Sequence, residues 1–94
     1  MRGVPSQHSK IKRMLSNKWK VQEFCQRAGG KLYVDYEHDE AVCEIGDTRI
    51  EAGDFYLFVV KGGDVLYDGF GVIKNIEPDR IIVNDGEEDE ELSL

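Results

Sequence analysis

The chain has 94 residues, 40% of them hydrophobic and 33% charged, with a formal net charge of −7, which allows one domain with a modest core and argues against a deep catalytic cavity. No stretch of eighteen apolar residues occurs, and Met1 to Gln7 lacks the apolar segment of a secretory signal, so a cytoplasmic protein is expected. The charge is unevenly placed: residues 1–31 carry eight bases against the single acid Glu23, net +7, and the remainder carries four bases against eighteen acids, net −14. An asymmetry of this kind bears on solubility, steering and the sign of a partner rather than on the fold.

Residues 1–8 contain Gly3, Pro5 and Ser6 without periodicity and read as a mobile arm. From Ser9, a candidate N-cap, the residues Ile11, Met14, Leu15, Val21, Phe24, Cys25 and Ala28 recur at spacings of three and four, one face of an amphipathic helical segment over residues 9–28 that Gly29-Gly30 stops. Ser16-Asn17 interrupts the strong helix formers, so one kinked helix or two short ones fit equally. Past Gly30 the period drops to two. Leu32 to Tyr36 and Ala41 to Ile45 form a hairpin around His38-Asp39-Glu40, and a short strand around Thr48 to Glu51 follows the Gly46-Asp47 turn.

Phe55 to Val60 (FYLFVV) is apolar on both faces as a strand, which predicts a central position with both faces covered. Strands at Val65 to Tyr67, Phe70 to Ile76 and Arg80 to Asn84 follow, with Gly69 and Gly71 reading as a bend or bulge around Phe70. The predicted fold is one α+β domain over residues 9–84, a helical segment covering a curled antiparallel sheet of five to six strands or a small barrel. Residues 85–94 hold five successive acids and are expected to form a disordered acidic tail.

Little in the chain points to catalysis. His38 stands in a hairpin turn with Asp39 and Glu40, and Ser9 and Ser16 lie on the basic helical segment, so no nucleophile and base are paired. Cys25 and Cys43 are too far apart for a CxxC motif, and in a reducing cytosol free buried thiols are the expectation. Cys25, His38 and Cys43 match no zinc spacing, so no metal or cofactor is expected.

Binding chemistry offers two candidate surfaces. Tyr33, Asp35, Tyr36, Glu37, Glu44, Asp54 and Asp68 set aromatic rings among carboxylates, a charge density able to imitate a nucleic-acid backbone in a basic protein groove. Lys10, Lys12, Arg13, Lys18, Trp19, Lys20 and Arg27 offer the opposite sign, a phosphate-contacting helix or an ion-pair layer against the protein's own acidic sheet. The bland counterparts are ordinary acidic solubility for the first and surface ion pairs of little net stability for the second.

The stretch Gly63-Asp64-Val65-Leu66-Tyr67-Asp68-Gly69-Phe70-Gly71-Val72-Ile73-Lys74-Asn75-Ile76-Glu77 resembles the strand-turn-strand repeat of SH3-like small barrels, among them KOW-type and RNA-polymerase-interacting domains of bacterial transcription regulators. That resemblance implies a non-catalytic module binding polymerase, ribosome or nucleic acid. The expected function is thus an acidic interaction or inhibitor protein, of the small accessory kind found in phage, docking on a basic surface of a nucleic-acid-handling protein. The alternative is a nucleic-acid-binding adaptor that uses the basic helix.

Overall fold

The computed structural model describes residues 16–94. The expected arm, the first half of the helical segment and the candidate cations Lys10, Lys12 and Arg13 lie outside the described residues. The chain runs α1 (Asn17–Ala28), β1 (Lys31–Asp35), β2 (Glu40–Ile45), β3 (Thr48–Ala52), β4 (Tyr56–Lys61), β5 (Asp64–Phe70), β6 (Val72–Glu77), β7 (Arg80–Asn84) and β8 (Asp89–Ser93). The α+β class holds.

Helix α1 begins after Ser16, whose backbone is extended as an N-cap requires but whose hydroxyl donates instead to Asp54 Oδ1 at 2.9 Å. It ends where the sequence places the stop: Gly29 is left-handed at φ 74° and the Gly30 N–H donates to the Cys25 carbonyl at 2.9 Å, a geometry that glycine adopts without Cβ strain. Asn17, Val21, Phe24 and Cys25 form its buried stripe. Asn17 is wholly buried and fully bonded, its amide donating to the Gly71 carbonyl at 2.7 Å and its Oδ1 accepting from the Ile73 N–H at 2.9 Å. A polar side chain so placed avoids the desolvation penalty and pins the start of the helix to the start of β6.

Strands β1 to β5 form one antiparallel meander in sequence order, and β6 to β8 form a second sheet. The two do not close into a barrel. The chain leaves the first sheet at Gly71, where a Cβ would come within 2.7 Å of Val83 and of the Tyr67 hydroxyl. The predicted bend at Gly69 and Gly71 is therefore the point at which the strand path changes sheet, and the closed-barrel alternative is corrected. The described residues hold eight strands rather than five or six: Phe70 continues the strand begun at Asp64, the strand expected from Phe70 begins instead at Val72, and the acidic tail contributes one more.

That tail is the second correction. Asp89–Ser93 pairs antiparallel with β7 along its whole length and buries Leu92 against the core, instead of remaining disordered. One apolar anchor plus a ladder of backbone hydrogen bonds outweighs the poor strand propensity of its acids. Third, β4 is interior to its sheet as expected, but only one of its faces is covered: Leu57 and Val59 are fully buried while Phe58 and Val60 are half-buried and Tyr56 is exposed. Fourth, Cys25 and Cys43 are not free thiols. The last turn of α1 lies on β2, bringing their Cα atoms to 5.8 Å, and the two are joined in a buried disulfide. Such a spacing suits a bridge. Gly30 packs on both sulfurs with no room for a side chain.

The core lies between α1, the inner face of the five-stranded sheet (Cys43, Ile50, Ala52, Leu57, Val59) and the three-stranded sheet (Ile73, Ile81, Val83). The opposite face of the five-stranded sheet has no element over it among the described residues.

Candidate interaction surface

Paired residues in an antiparallel sheet share a face, so the register fixes what the uncovered face displays. One row runs Tyr33, Val42, Glu51, Phe58, Asp68 across all five strands. The next runs Lys31, Glu44, Arg49, Val60, Val65. A third holds Asp35 opposite Glu40 and, farther across, Tyr56 opposite Phe70. Carboxylates and aromatic rings thus alternate over a single surface, with Lys31 and Arg49 as its only cations in these rows.

A shallow groove of about 510 Å³ crosses the β1 side of this face, lined by Tyr33, Asp35, Tyr36, Glu44 and Arg49 with Val42 as its floor. Four of the seven acidic and aromatic residues expected from the sequence line that one groove. Glu37 follows them in the β1–β2 turn, where Asp35 Oδ1 accepts the Glu37 and His38 N–H groups at 3.0 and 3.2 Å. Asp68 stands at the far side of the same face, accepting the Tyr56 hydroxyl at 3.1 Å. Burial and then the neighbouring Asp68 carboxylate push the Tyr56 phenol upward, so it stays protonated as a donor. Asp54 does not belong here. Its carboxylate takes the Ser16 hydroxyl and its carbonyl takes the Asn17 N–H at 3.0 Å, placing negative charge at the start of α1 where the helix dipole favours it.

The carboxylates differ in how far they are already engaged. Arg49 bonds Glu44 and, at 2.8 Å, Glu51, and those bonds raise its pKa, Glu51 contributing most. Asp35 is bonded to His38 Nδ1 at 2.9 Å; that bond holds the Asp35 carboxyl below its ordinary range and raises His38 above its own. Lys31 places its ammonium over the Tyr33 ring, 5.4 Å from the centroid. Exposed rings continue at the other margin, where Phe55 and Phe70 stack with centroids 6.5 Å apart.

Among the described residues, the basic candidates Lys18, Lys20 and Arg27 are not gathered on one face. Lys18 pairs with Asp39 at 2.5 Å on one flank of α1, while on the other Lys20 donates to the Ile73 carbonyl at 2.5 Å. Burial, then Lys74, lowers the Lys20 pKa. Arg27 is exposed in the last turn and Trp19 is half-buried. The ion-pair alternative thus describes Lys18. The disulfide takes both thiols of the Cys25, His38 and Cys43 set, and among the described residues no group of three or more His, Cys, Asp or Glu side chains is placed to hold a metal. Among the described residues, no helix is long and apolar enough to cross a membrane.

Sequence reading missed Glu40, Arg49, Glu51, Tyr56 and Phe58 as members of this face. Strand parity was the available signal for Glu40, four positions from Glu44 on β2; β3 and β4 held no named member to count from, and their place on the face follows only from the pairing register. No protein-family model matches the chain, and no curated protein or solved structure matches it either.

Proposed function

We propose that this is a non-catalytic interaction protein whose open sheet face docks on a basic surface of a nucleic-acid-handling partner, in the manner of small acidic inhibitors of the accessory kind. The register supports it: Asp35, Glu40, Glu44, Glu51 and Asp68 share one face with Tyr33, Tyr56 and Phe58, against only Lys31 and Arg49. Aromatic rings supply contact area at low entropic cost, and carboxylates supply steering toward a cationic groove. A cytoplasmic encounter with such a partner is compatible with the disulfide, whose sulfurs have no exposure to an attacking thiolate.

The test uses an arginine-rich peptide and a generic DNA duplex as probes, titrated at several salt concentrations. Asp35→Asn, Glu44→Gln and Asp68→Asn together are expected to weaken peptide binding and flatten its salt dependence. Lys18→Gln with Arg27→Gln should change it little. Duplex binding that disappears in that second variant would replace this function with the nucleic-acid adaptor, since a protein that gives up one phosphate neutralisation shows a salt slope shallower by about one unit.

A further inference from the structure

The two sheets have four edge strands, and three of them are protected. β5 carries a register shift opposite Val59 and Val60 and a left-handed Gly69 at φ 143°. β6 carries another shift between Ile73 and Asn75, and α1 covers it: Asn17 accepts the Ile73 N–H and Lys20 donates to the Ile73 carbonyl. β8 presents Asp89, Glu90 and Glu91 in succession. Bulges, covering elements and charges are the devices by which natural sheets blunt their edges.

β1 has neither a bulge nor a covering strand, and no charge at its middle. Its five residues, Lys31-Leu32-Tyr33-Val34-Asp35, pair with β2 in unbroken register, and no element lies beyond it among the described residues. Tyr33 and Val34 at its middle are 42% and 40% exposed. Its charges stand only at the two ends, and they are opposite in sign. Turned about a two-fold axis through Tyr33, the strand is complementary to itself: Lys31 faces the second copy's Asp35, Leu32 faces Val34, and Tyr33 faces Tyr33. Opposite-charge, aliphatic and aromatic pairs are the cross-strand pairs that stabilise antiparallel sheets. The parity agrees as well, because Lys31, Tyr33 and Asp35 lie on the open face and Leu32 and Val34 on the core side.

We propose that β1 is a self-association edge, pairing antiparallel with β1 of a second copy of this chain so that two five-stranded sheets become one continuous sheet. The occupant is a second copy because the strand's own sequence supplies a matching partner at every position, and it does so in the antiparallel orientation alone. A parallel arrangement in the same register would set Lys31 on Lys31 and Asp35 on Asp35. Lys31 is in no salt bridge among the described residues, so its ammonium can leave the Tyr33 ring for the facing Asp35 carboxylate, which is 40% exposed and takes it as a partner beside His38. An isologous contact of this kind closes at two copies and leaves no further edge of the same type exposed. It also joins the two acidic faces side by side.

Sedimentation equilibrium over a concentration series, at physiological ionic strength where the −7 net charge is screened, reads the outcome. The full chain is expected to dimerise. Lys31→Asp, at an exposed position and with its fold checked by circular dichroism, sets two aspartates against each other at both ends and is expected to abolish the dimer. Lys31→Asp combined with Asp35→Lys restores the matched ends in reversed order and is expected to recover it. Amide exchange gives a second reading that needs no variant, namely slowing within residues 31–35 as concentration rises. A chain that stays monomeric throughout overturns the proposal. So does a dimer indifferent to Lys31→Asp, or exchange that slows elsewhere but not in β1.

Discussion

The two faces of the five-stranded sheet are made by the same strands and alternate residues, yet they differ in almost every physical respect. The inner face presents Cys43, Ile50, Ala52, Leu57 and Val59, all essentially without exposure, to α1 and the second sheet. The outer face presents Tyr33, Glu44, Arg49, Tyr56 and Asp68 to solvent, with Val42 the only buried residue in its rows. Antiparallel sheets commonly have one solvated face. What distinguishes this one is that its solvated side keeps large rings as well as charges. Stability resides on one side of the backbone and the chemistry of recognition on the other, so a one-residue change of position along β4 should move a substitution between the two.

The largest effect is expected at Leu57. Leu57→Ala empties a fully buried site and should lower stability by about 2–5 kcal/mol, a large part of what a domain this size possesses. Phe58→Ala removes more atoms but from the half-buried outer face, and should cost about 1 kcal/mol, part of the 1.5–3 kcal/mol that full burial of such a side chain brings. Urea midpoints of the two variants measure the contrast. Equal losses would mean that the outer face is covered after all.

Next is the bridge that fastens α1 to the inner face. Joining residues 18 apart in sequence should contribute about 3 kcal/mol through the entropy of the unfolded chain. Denaturation of the oxidised protein with and without reductant gives the difference, and thiol titration of the unfolded, unreduced chain checks that the bridge is present. Two reactive thiols there, or coincident midpoints, would leave the helix held by Val21, Phe24 and Asn17 alone.

Local signals in the sequence carried the secondary structure well and its assembly less well. Gly29-Gly30 announced the end of α1, and the two-residue alternation placed β1 and β2, because glycine chemistry and strand parity act over a few residues. The pairing of Cys25 with Cys43 depends on the last turn of a helix meeting the middle of a strand, which no spacing reveals. β8 was misread because its composition argues for disorder, and only the partner strand β7 together with the pocket for Leu92 makes it worthwhile. Asn17 read as part of an interruption among helix formers. Its partners Gly71 and Ile73 lie more than fifty positions away, so its role belongs to the tertiary fold. The groove was half legible: Tyr33, Asp35, Tyr36 and Glu44 followed from composition, whereas the exclusion of Asp54 followed from its bond to Ser16.

The smallest effect sharpens the comparison from the outer side, at the rim of the groove. The bond to Asp35 raises the His38 pKa, so its contribution to stability is present in full below the ordinary histidine value of about 6.5 and fades as pH rises through the raised folded value. Asp35 is held below its ordinary range, chiefly by the same bond, so its contribution is present above the ordinary aspartate value of about 3.9 and fades as pH falls through the lowered one. The pair therefore supports the β1–β2 turn most fully between about pH 4 and 6.5. Both groups are exposed, and solvent screening keeps the gain small. His38→Ala leaves the Glu37 and His38 N–H bonds to Asp35 in place and removes only the imidazole. Its melting temperature, relative to the native chain, is expected to be lowest inside that window and to converge on the native value as pH rises through the raised histidine value. Parallel curves across the whole range, or a His38 imidazole that titrates by NMR at its ordinary value, would show that the turn is held by the backbone bonds alone.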